Sequence, residues 1–461
     1  MRIKLGVLIA VLLSPIAAHG HAEIFFPKLF SPAELPTTGF VFVNPDPFTA
    51  TVYFYLIPAN GGKALSPTPI TIPSGGQLSK LGSELFPNAT TSGWVYIIND
   101  SESMQAFWLN YDAGLTFLDG AEAAQYDALG ADQIIPLVAG HTEVNVINPT
   151  ATTVPLTIRI FGEDHELAAA FTASVLTAGA FQAQASDMFP AADMTQARYI
   201  RIQTPGAPVA SSAVIRGYLV PKDSAVVNGL NVGTKTELSF PHAVNGQIAG
   251  ANYTTVVGVT NLSNSSQTVT MTFNPNAGDP LVVNRTIPGN GALRETAQSL
   301  FGLSSAFQSG WIRVNSTTGI VGFAAYADSV SGGIAAVPAS TPLTDLFFSH
   351  IADGPPQWQT GLALLNASNT AATVEVYAVN PSGSLIGSKQ FTLDPGMKIA
   401  NVIHELIPET RGVNGGFVYV RTANNIPIYG IELFYTEDLK VLSNVAAGKL
   451  MGGVKYSPPK S

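Results

Sequence analysis

The chain has 461 residues, a formal net charge of −9, 46% apolar and only 11% charged residues, 43 glycines, 32 prolines and no cysteine. Disulfide frameworks, zinc–thiolate sites, cysteine nucleophiles and thiol redox chemistry are therefore excluded. The acidic balance, without any Lys/Arg cluster, excludes a basic nucleic-acid footprint, and so large an apolar share argues against intrinsic disorder.

The chain opens with a short basic start, Arg2 and Lys4, followed by an apolar run over residues 5–18 and small residues at Ala18, Gly20 and Ala22. Basic start, apolar run and small-residue cleavage site are the three regions of a secretory signal peptide, assigned to residues 1–22. The run is shorter than the roughly 20 residues that span a bilayer. No later segment reads as a transmembrane helix, so none is expected once the signal is removed. The expected destination is export: secreted, cell-surface or periplasmic. Loss of Arg2 and Lys4 takes the net charge from −9 to −11.

Beyond the leader, four segments share one order of landmarks. Each begins with an apolar strand ending in Asn: Phe40-Val-Phe-Val-Asn44, Val144-Asn-Val-Ile-Asn148, Val256-Val-Gly-Val-Thr-Asn261 and Leu362-Ala-Leu-Leu-Asn366. A short motif follows about forty residues later: Glu84-Leu-Phe-Pro87, Asp187-Met-Phe-Pro190, Ser299-Leu-Phe-Gly302 and Glu405-Leu-Ile-Pro408. Then an aromatic opens a new strand at Trp94, Tyr199, Trp311 or Phe417, at 50, 51, 50 and 51 residues after the Asn. The Asn-to-Asn steps of 104, 113 and 105 residues give a period near 105, far longer than solenoid or propeller units. A unit of that size can hold its own core. The predicted domains are residues 23–128, 129–236, 237–341 and 342–461, the last with a short polar tail. Segments 115–130, 225–235 and 332–345, rich in Gly, Ala, Ser and Pro, read as linkers.

Within each unit the pattern is strand after short strand. Thr268-Val-Thr-Met-Thr-Phe273 alternates polar and apolar, the period of a sheet with one wet face. Turn signals such as Asn44-Pro45, Pro73-Ser-Gly-Gly76, Pro288-Gly-Asn-Gly291 and Pro395-Gly396 punctuate the strands. The Leu-Phe-Pro motif reads as one helical turn stopped by proline. About seven strands per unit with almost no helix predict an all-β protein of four tandem immunoglobulin-like β-sandwich domains. The Asn-Pro turn, the Pro-Gly-Gly turn, the Leu-Phe-Pro link and the Gly-Trp strand make the chain resemble tandem Ig-like repeat proteins of bacterial envelopes. That resemblance is one of pattern and implies no catalytic residue. A transmembrane β-barrel is the rival fold; the long period, the low charge and the polar end Pro458-Pro-Lys-Ser461 argue against it.

Few residues of the chain fall into a pattern that carries chemistry. His242 and His350 occupy matching positions in units three and four, where units one and two carry Lys28 and Leu137. No partner ligand recurs beside them, so packing at a domain junction is the expected role. His165-Glu166 and His404-Glu405 lack the second His of a His-Glu-x-x-His site. There is no Gly-x-Ser-x-Gly elbow and no phosphate-binding Gly-Lys loop. Asp100, Glu102 and Asp328 lie near strand ends, but do not alternate as calcium ligands do. No metal or cofactor is expected.

The four repeated aromatics are the candidate binding residues. Period two puts Ile312 and Val314 on one face of their strand and Trp311 and Arg313 on the other. The same holds for Trp94 with Tyr96, Tyr199 with Arg201 and Phe417 with Tyr419. Outward rings beside polar neighbours could stack on sugars or on a partner protein; alternatively each ring packs on its own sandwich or on the next domain. Asn44, Asn148, Asn261 and Asn366 are expected to bond nearby backbone at a turn. In unit two an additional loop, residues 204–212, lengthens the last hairpin. The function expected from these features is a non-enzymatic secreted or cell-surface protein with a structural or adhesive role, its partner itself, another surface protein or a polysaccharide. The alternatives are carbohydrate binding through the outward rings and an unrecognised hydrolase with a loop-borne site.

Overall fold

The computed structural model describes residues 22–220, 223–233, 235–248, 250–354, 358–450 and 456–458. The signal assigned to residues 1–22 lies outside them except for Ala22. The protein is all-β with antiparallel sheets. No helix among the described residues is long and apolar enough to cross a membrane.

Each sequence repeat contributes eight main strands, in two sheets of the same order. One sheet runs fourth–third–sixth–first and the other fifth–second–seventh–eighth, from repeat 1 through repeat 4. In repeat 3 the two sheets are also joined, because its first and second strands pair as a hairpin. The alternation read from sequence sets the faces. In Gln267–Pro275, Val269, Met271 and Phe273 are buried while Thr268, Thr270 and Thr272 are not. Val and Thr are stiff at χ1 and suit this half-buried pleated surface. The two sheets close over one apolar layer: in repeat 1, Val52, Phe54, Val95 and Ile97 of one sheet meet Phe40, Phe42 and Trp108 of the other.

The short motif forms one helical turn in every repeat, Gly82–Leu85, Ala185–Met188, Ala297–Phe301 and Ile403–Leu406. In repeats 1 and 4 the acidic residue holds the backbone amide of the residue just before the turn: Leu81 N–H donates to Glu84 at 2.8 Å and Val402 N–H to Glu405 at 3.3 Å. In repeat 3 the turn is capped instead by Thr296, whose hydroxyl accepts from Ser299 N–H at 3.1 Å.

The four strand-ending asparagines are buried structural locks. Asn148 Nδ2 donates to the carbonyls of Thr152, Val175 and Leu176 at 2.8, 3.1 and 2.9 Å, and its Oδ1 accepts from Thr150 N–H at 3.0 Å. Asn44 and Asn261 make the same set, and Asn366 all but one bond of it. One amide thus ties the second-strand turn to the end of the fourth strand. Replacing Asn148 with alanine strands those carbonyls and should cost about 1–3 kcal/mol. Asn148→Asp should cost more, because it turns a carboxylate toward carbonyl oxygens. Denaturant midpoints of the two variants test the order.

Three sequence expectations are corrected. The repeat has eight strands rather than seven, and the eighth lies in what read as linker: Leu118–Glu122, Ser224–Asn228 and Ile334–Pro338, with Leu442–Ala446 in repeat 4. Small residues there read as flexible, yet they are what lets these strands come close to one another. A Cβ on Gly120 would lie 2.8 Å from the Trp108 carbonyl oxygen and 3.1 Å from Ser443 Oγ. The eighth strands of repeats 1 and 2, 2 and 3, 3 and 4, and 4 and 1 lie against each other, so the series closes on itself. The third correction concerns independent cores. One apolar cluster joins repeat 2 to Val256, Phe323 and Ile334 of repeat 3, and another joins repeat 3 to Ala363, Ile431 and Leu442 of repeat 4. The physical reason is that the outer face of the fifth–second–seventh–eighth sheet is itself apolar and is covered by the preceding repeat.

Candidate functional site

The sixth strand of each repeat positions the candidate aromatics. Val95 and Ile97 point into the core of repeat 1, which turns Trp94 and Tyr96 to the opposite face, with Phe25 and Tyr55. The face assignment made from periodicity is correct, but the rings are not open to solvent. Trp94, Tyr199, Trp311 and Phe417 are 1, 2, 5 and 0% exposed. Of the two roles weighed for these rings, their burial is that of packing: the next repeat covers them.

Three of the four make the same contact. Trp94 Nε1 donates to Ala178 O at 3.0 Å, Tyr199 Oη to Asn290 O at 2.7 Å, and Trp311 Nε1 to Gly396 O at 2.9 Å. Each acceptor sits in the turn between the fourth and fifth strands of the following repeat. Ala178, Asn290 and Gly396, together with Gly75 of repeat 1, all have positive φ, at 51°, 53°, 72° and 65°. For Ala178 this is an uncommon conformation with an energetic cost, held by the bonds on either side of it. Trp94 takes its carbonyl, and Asn148 N–H donates to Gly179 O at 2.9 Å.

A second contact recurs at the residue opening the fifth strand. Ala180 N–H donates to Ala59 O at 2.8 Å, Ala292 N–H to Glu163 O at 3.0 Å, and Gln77 N–H to Pro381 O at 2.9 Å. The last of these runs from repeat 1 back to repeat 4. At this closing junction Phe417, lacking a donor, packs with Phe347, Tyr419 and Tyr456 against Val43 of repeat 1. Phe107 of repeat 1 likewise packs with Phe434 of repeat 4. Head-to-tail contacts of one kind close into a ring when the rotation permits, and here four repeats complete the circuit.

Polar groups reinforce the junctions. Arg216 of repeat 2 pairs with the buried carboxylate of Asp119 in repeat 1 at 2.8 Å, and Ser224 Oγ also donates to that carboxylate. Burial raises the Asp119 pKa despite Arg216. Lys28, Leu137, His242 and His350 lie at matching places in the first-strand region. Lys28 pairs with Glu34 at 2.8 Å. His350 is wedged between Phe107 and Phe434, with ring centroids 5.8 and 5.5 Å away, and burial pushes its imidazole down to about 4. It is therefore neutral at physiological pH.

The remaining candidates serve local structure. Asp328 accepts from the N–H groups of Asn252, Val330 and Ser331 at 2.7, 3.2 and 3.0 Å. Asp100 accepts from Thr51 N–H at 2.6 Å. His404 pairs with Asp353 at 2.8 Å. The additional loop of repeat 2 is pinned rather than free, since Val209 and Gly130 exchange backbone hydrogen bonds at 3.0 and 2.9 Å. Sequence reasoning missed Gln77 and Lys398, whose side chains fill the third and fourth junctions. The available signal was that one register position reads Gln77, Ala180, Ala292 and Lys398.

No family model matches the chain, and no curated protein matches its sequence. Among solved structures, a β-glucuronidase of glycoside hydrolase family 2 aligns at 11% identity, over 49% of this chain and 24% of its own, with a TM-score of 0.11. The chain thus spans about a quarter of that enzyme. The tetra-tandem repeat from the extending region of a large adhesion protein aligns at 13% identity over 88% of this chain and 92% of its own, with a TM-score of 0.10. At these TM-scores neither alignment bears on fold or function.

Proposed function

We propose that this chain is a non-enzymatic structural or adhesive protein of the cell exterior, which presents four fused β-sandwich repeats as one rigid body. The observation that carries the reading is the repeated junction. The residues most suited to ligand stacking are used to fasten each repeat to the next, and the fourth is fastened back to the first. Such an arrangement resists bending between repeats, as a scaffold or adhesin requires. The low charge supports it too, since little repulsion opposes contact with other copies or with a surface.

Two measurements test the reading. Small-angle scattering of the chain without residues 1–22 should give a radius of gyration near the ~22 Å of compact-chain scaling, whereas a string of unfastened repeats would give roughly twice that. Fractionation of the source cells should place the protein outside the cytoplasm, with binding to the cell surface or to itself in sedimentation. Turnover of a glycoside or ester substrate by the purified chain would overturn the proposal in favour of a loop-borne hydrolase.

A further inference from the structure

The outer edge of repeat 3 differs from those of the other three repeats. In each repeat the fourth strand ends the fourth–third–sixth–first sheet, so among the described residues one of its sides has no neighbouring strand. The unpaired N–H and C=O groups of such an edge receive any extended chain, and proteins blunt it with short strands, proline, lysine or an irregular register. Repeat 1 has only Ile70–Ile72, set between Pro69 and Pro73. Repeat 2 has five residues, Phe171–Val175, of which only Thr172 and Ser174 are exposed. Repeat 4 has the longer Leu385–Leu393, but Lys389 stands exposed at its middle, and its register with the third strand shifts between Ala378 and Val379.

Repeat 3 uses none of these devices. Leu281–Ile287 pairs with the third strand in one unbroken register, from Gln267 opposite Ile287 to Phe273 opposite Leu281. Its single charge, Arg285, is neutralised by Glu295 at 2.8 Å. Two of its apolar residues, Leu281 and Val282, are 38 and 59% exposed. Val282, Asn284 and Thr286 stand on the outer face, opposite Thr272, Thr270 and Thr268. Leu281, Val283 and Arg285 stand on the other face, opposite the core residues Phe273, Met271 and Val269. A straight edge with exposed aliphatic side chains is an open docking strip for another strand.

The sequence of the strand says what fits it. Pro280-Leu-Val-Val-Asn-Arg-Thr-Ile-Pro288 is bounded by a proline four residues before Asn284 and another four residues after it. Laid antiparallel on itself about Asn284, Leu281 meets Ile287, Val282 meets Thr286, Val283 meets Arg285, and Asn284 meets its own copy. Aliphatic and β-branched residues then face one another, and no two charges stand directly opposite. Sliding one copy by two residues sets Pro280 against Thr286 or Pro288 against Val282, where a donor is lost. A slip of one residue turns every side chain to the wrong face. The strand is therefore complementary to itself, and in one register.

We propose that two copies of this chain associate through the fourth strands of their third repeats, paired antiparallel about Asn284 on a two-fold axis. The pairing joins two sheets into one across the axis. Both copies use the same patch and the other edges are blunted, so assembly stops at the dimer. The strip is short, and a reversible association in the micromolar range is expected rather than a permanent dimer. The proposal rests on the adhesive reading of the chain, and the two fail separately: substrate turnover removes that reading, a persistent monomer removes this one.

The test is sedimentation equilibrium of the chain lacking residues 1–22, which should show monomer and dimer exchanging at micromolar concentration. Val282→Lys with Thr286→Lys sets lysines opposite each other twice across the axis. It should weaken the dimer at least tenfold and keep the melting temperature, because both side chains are exposed. Val282→Lys with Thr286→Glu sets opposite charges in the same places and should restore the dimer. The chain has no cysteine, so a single Asn284→Cys can cross-link only between copies. Facing Cα atoms about 4.5–5.5 Å apart suit a disulfide, and mild oxidation should give a covalent dimer. Thr286→Cys, on the same face but about 13 Å from its own copy, should not cross-link. A chain that stays monomeric at hundreds of micromolar overturns the proposal. So does a dimer indifferent to the paired lysines, a lysine–glutamate chain that does not recover, or equal cross-linking at positions 284 and 286.

Discussion

Trp94→Ala is expected to destabilise the protein by about 3–5 kcal/mol, the usual cost of deleting a fully buried large ring. The loss arises at the junction rather than in the core of repeat 1, because the indole lies on the outer face of its own sheet. It packs there with Phe25 and Tyr96, and its Nε1 reaches Ala178 O in repeat 2 at 3.0 Å. Trp94→Phe separates the two contributions. It keeps most of the ring but leaves the Ala178 carbonyl without its donor, for a smaller cost of about 1–3 kcal/mol. Trp311→Ala should behave like Trp94→Ala, since Trp311 makes the same bond to Gly396. Repeats coupled through neighbour interfaces need not melt as one transition, so a broadened or split thermal transition is part of the expected result. An unchanged melting temperature for both alanine variants would show the rings to be free for a ligand instead.

The second large effect runs in the stabilising direction. Glu432 is fully buried on the inner face of the seventh strand of repeat 4, where the register places Trp108, Ala213 and Ala324 in the other repeats. Neither carboxylate oxygen has a hydrogen-bond partner among the described residues. Burial raises its pKa well above the ordinary value of 4.5. A group whose folded-state pKa is raised favours the fold fully below the unfolded pKa and loses that contribution as pH climbs through the folded value. Wild-type stability should therefore decline from about pH 4.5 upward on account of this residue. Glu432→Met, apolar and close in volume, should raise stability at pH 7–8 by roughly 1–4 kcal/mol and remove that part of the decline. Denaturant midpoints of both proteins across pH 5–9 read the effect directly. Parallel curves for wild type and variant would mean that Glu432 has a partner in solution.

The local levels of structure were readable because their determinants are local. Alternation in Gln267–Pro275 set which side chains are buried, the Asn at each second-strand end marked a turn that needs an amide, and the Leu-Phe-Pro motif marked one helical turn. The eighth strand is not legible in the sequence because its residues are small. In residues 225–235 and 332–345, Gly, Ala and Ser carry the same composition whether a segment is a loose tether or a strand packed against another strand. Only neighbours distinguish the two. Lys398 is unmarked for a related reason, since a single lysine in an exposed-looking strand signals nothing until its surroundings are known.

The aromatic positions divide the two kinds of information cleanly. Sequence by itself determined the all-β pattern, the four-fold repeat near 105 residues and the face on which Trp94, Tyr199, Trp311 and Phe417 stand, because side-chain direction follows from a period of two along the strand. Tertiary structure alone decided what covers that face. Burial depends on which surface arrives from a segment some ninety residues away, and the acceptors Ala178, Asn290 and Gly396 share only a backbone conformation, not a side chain. A carbonyl oxygen is present at every residue, so the chain's letters carry no mark of the one that will receive the bond.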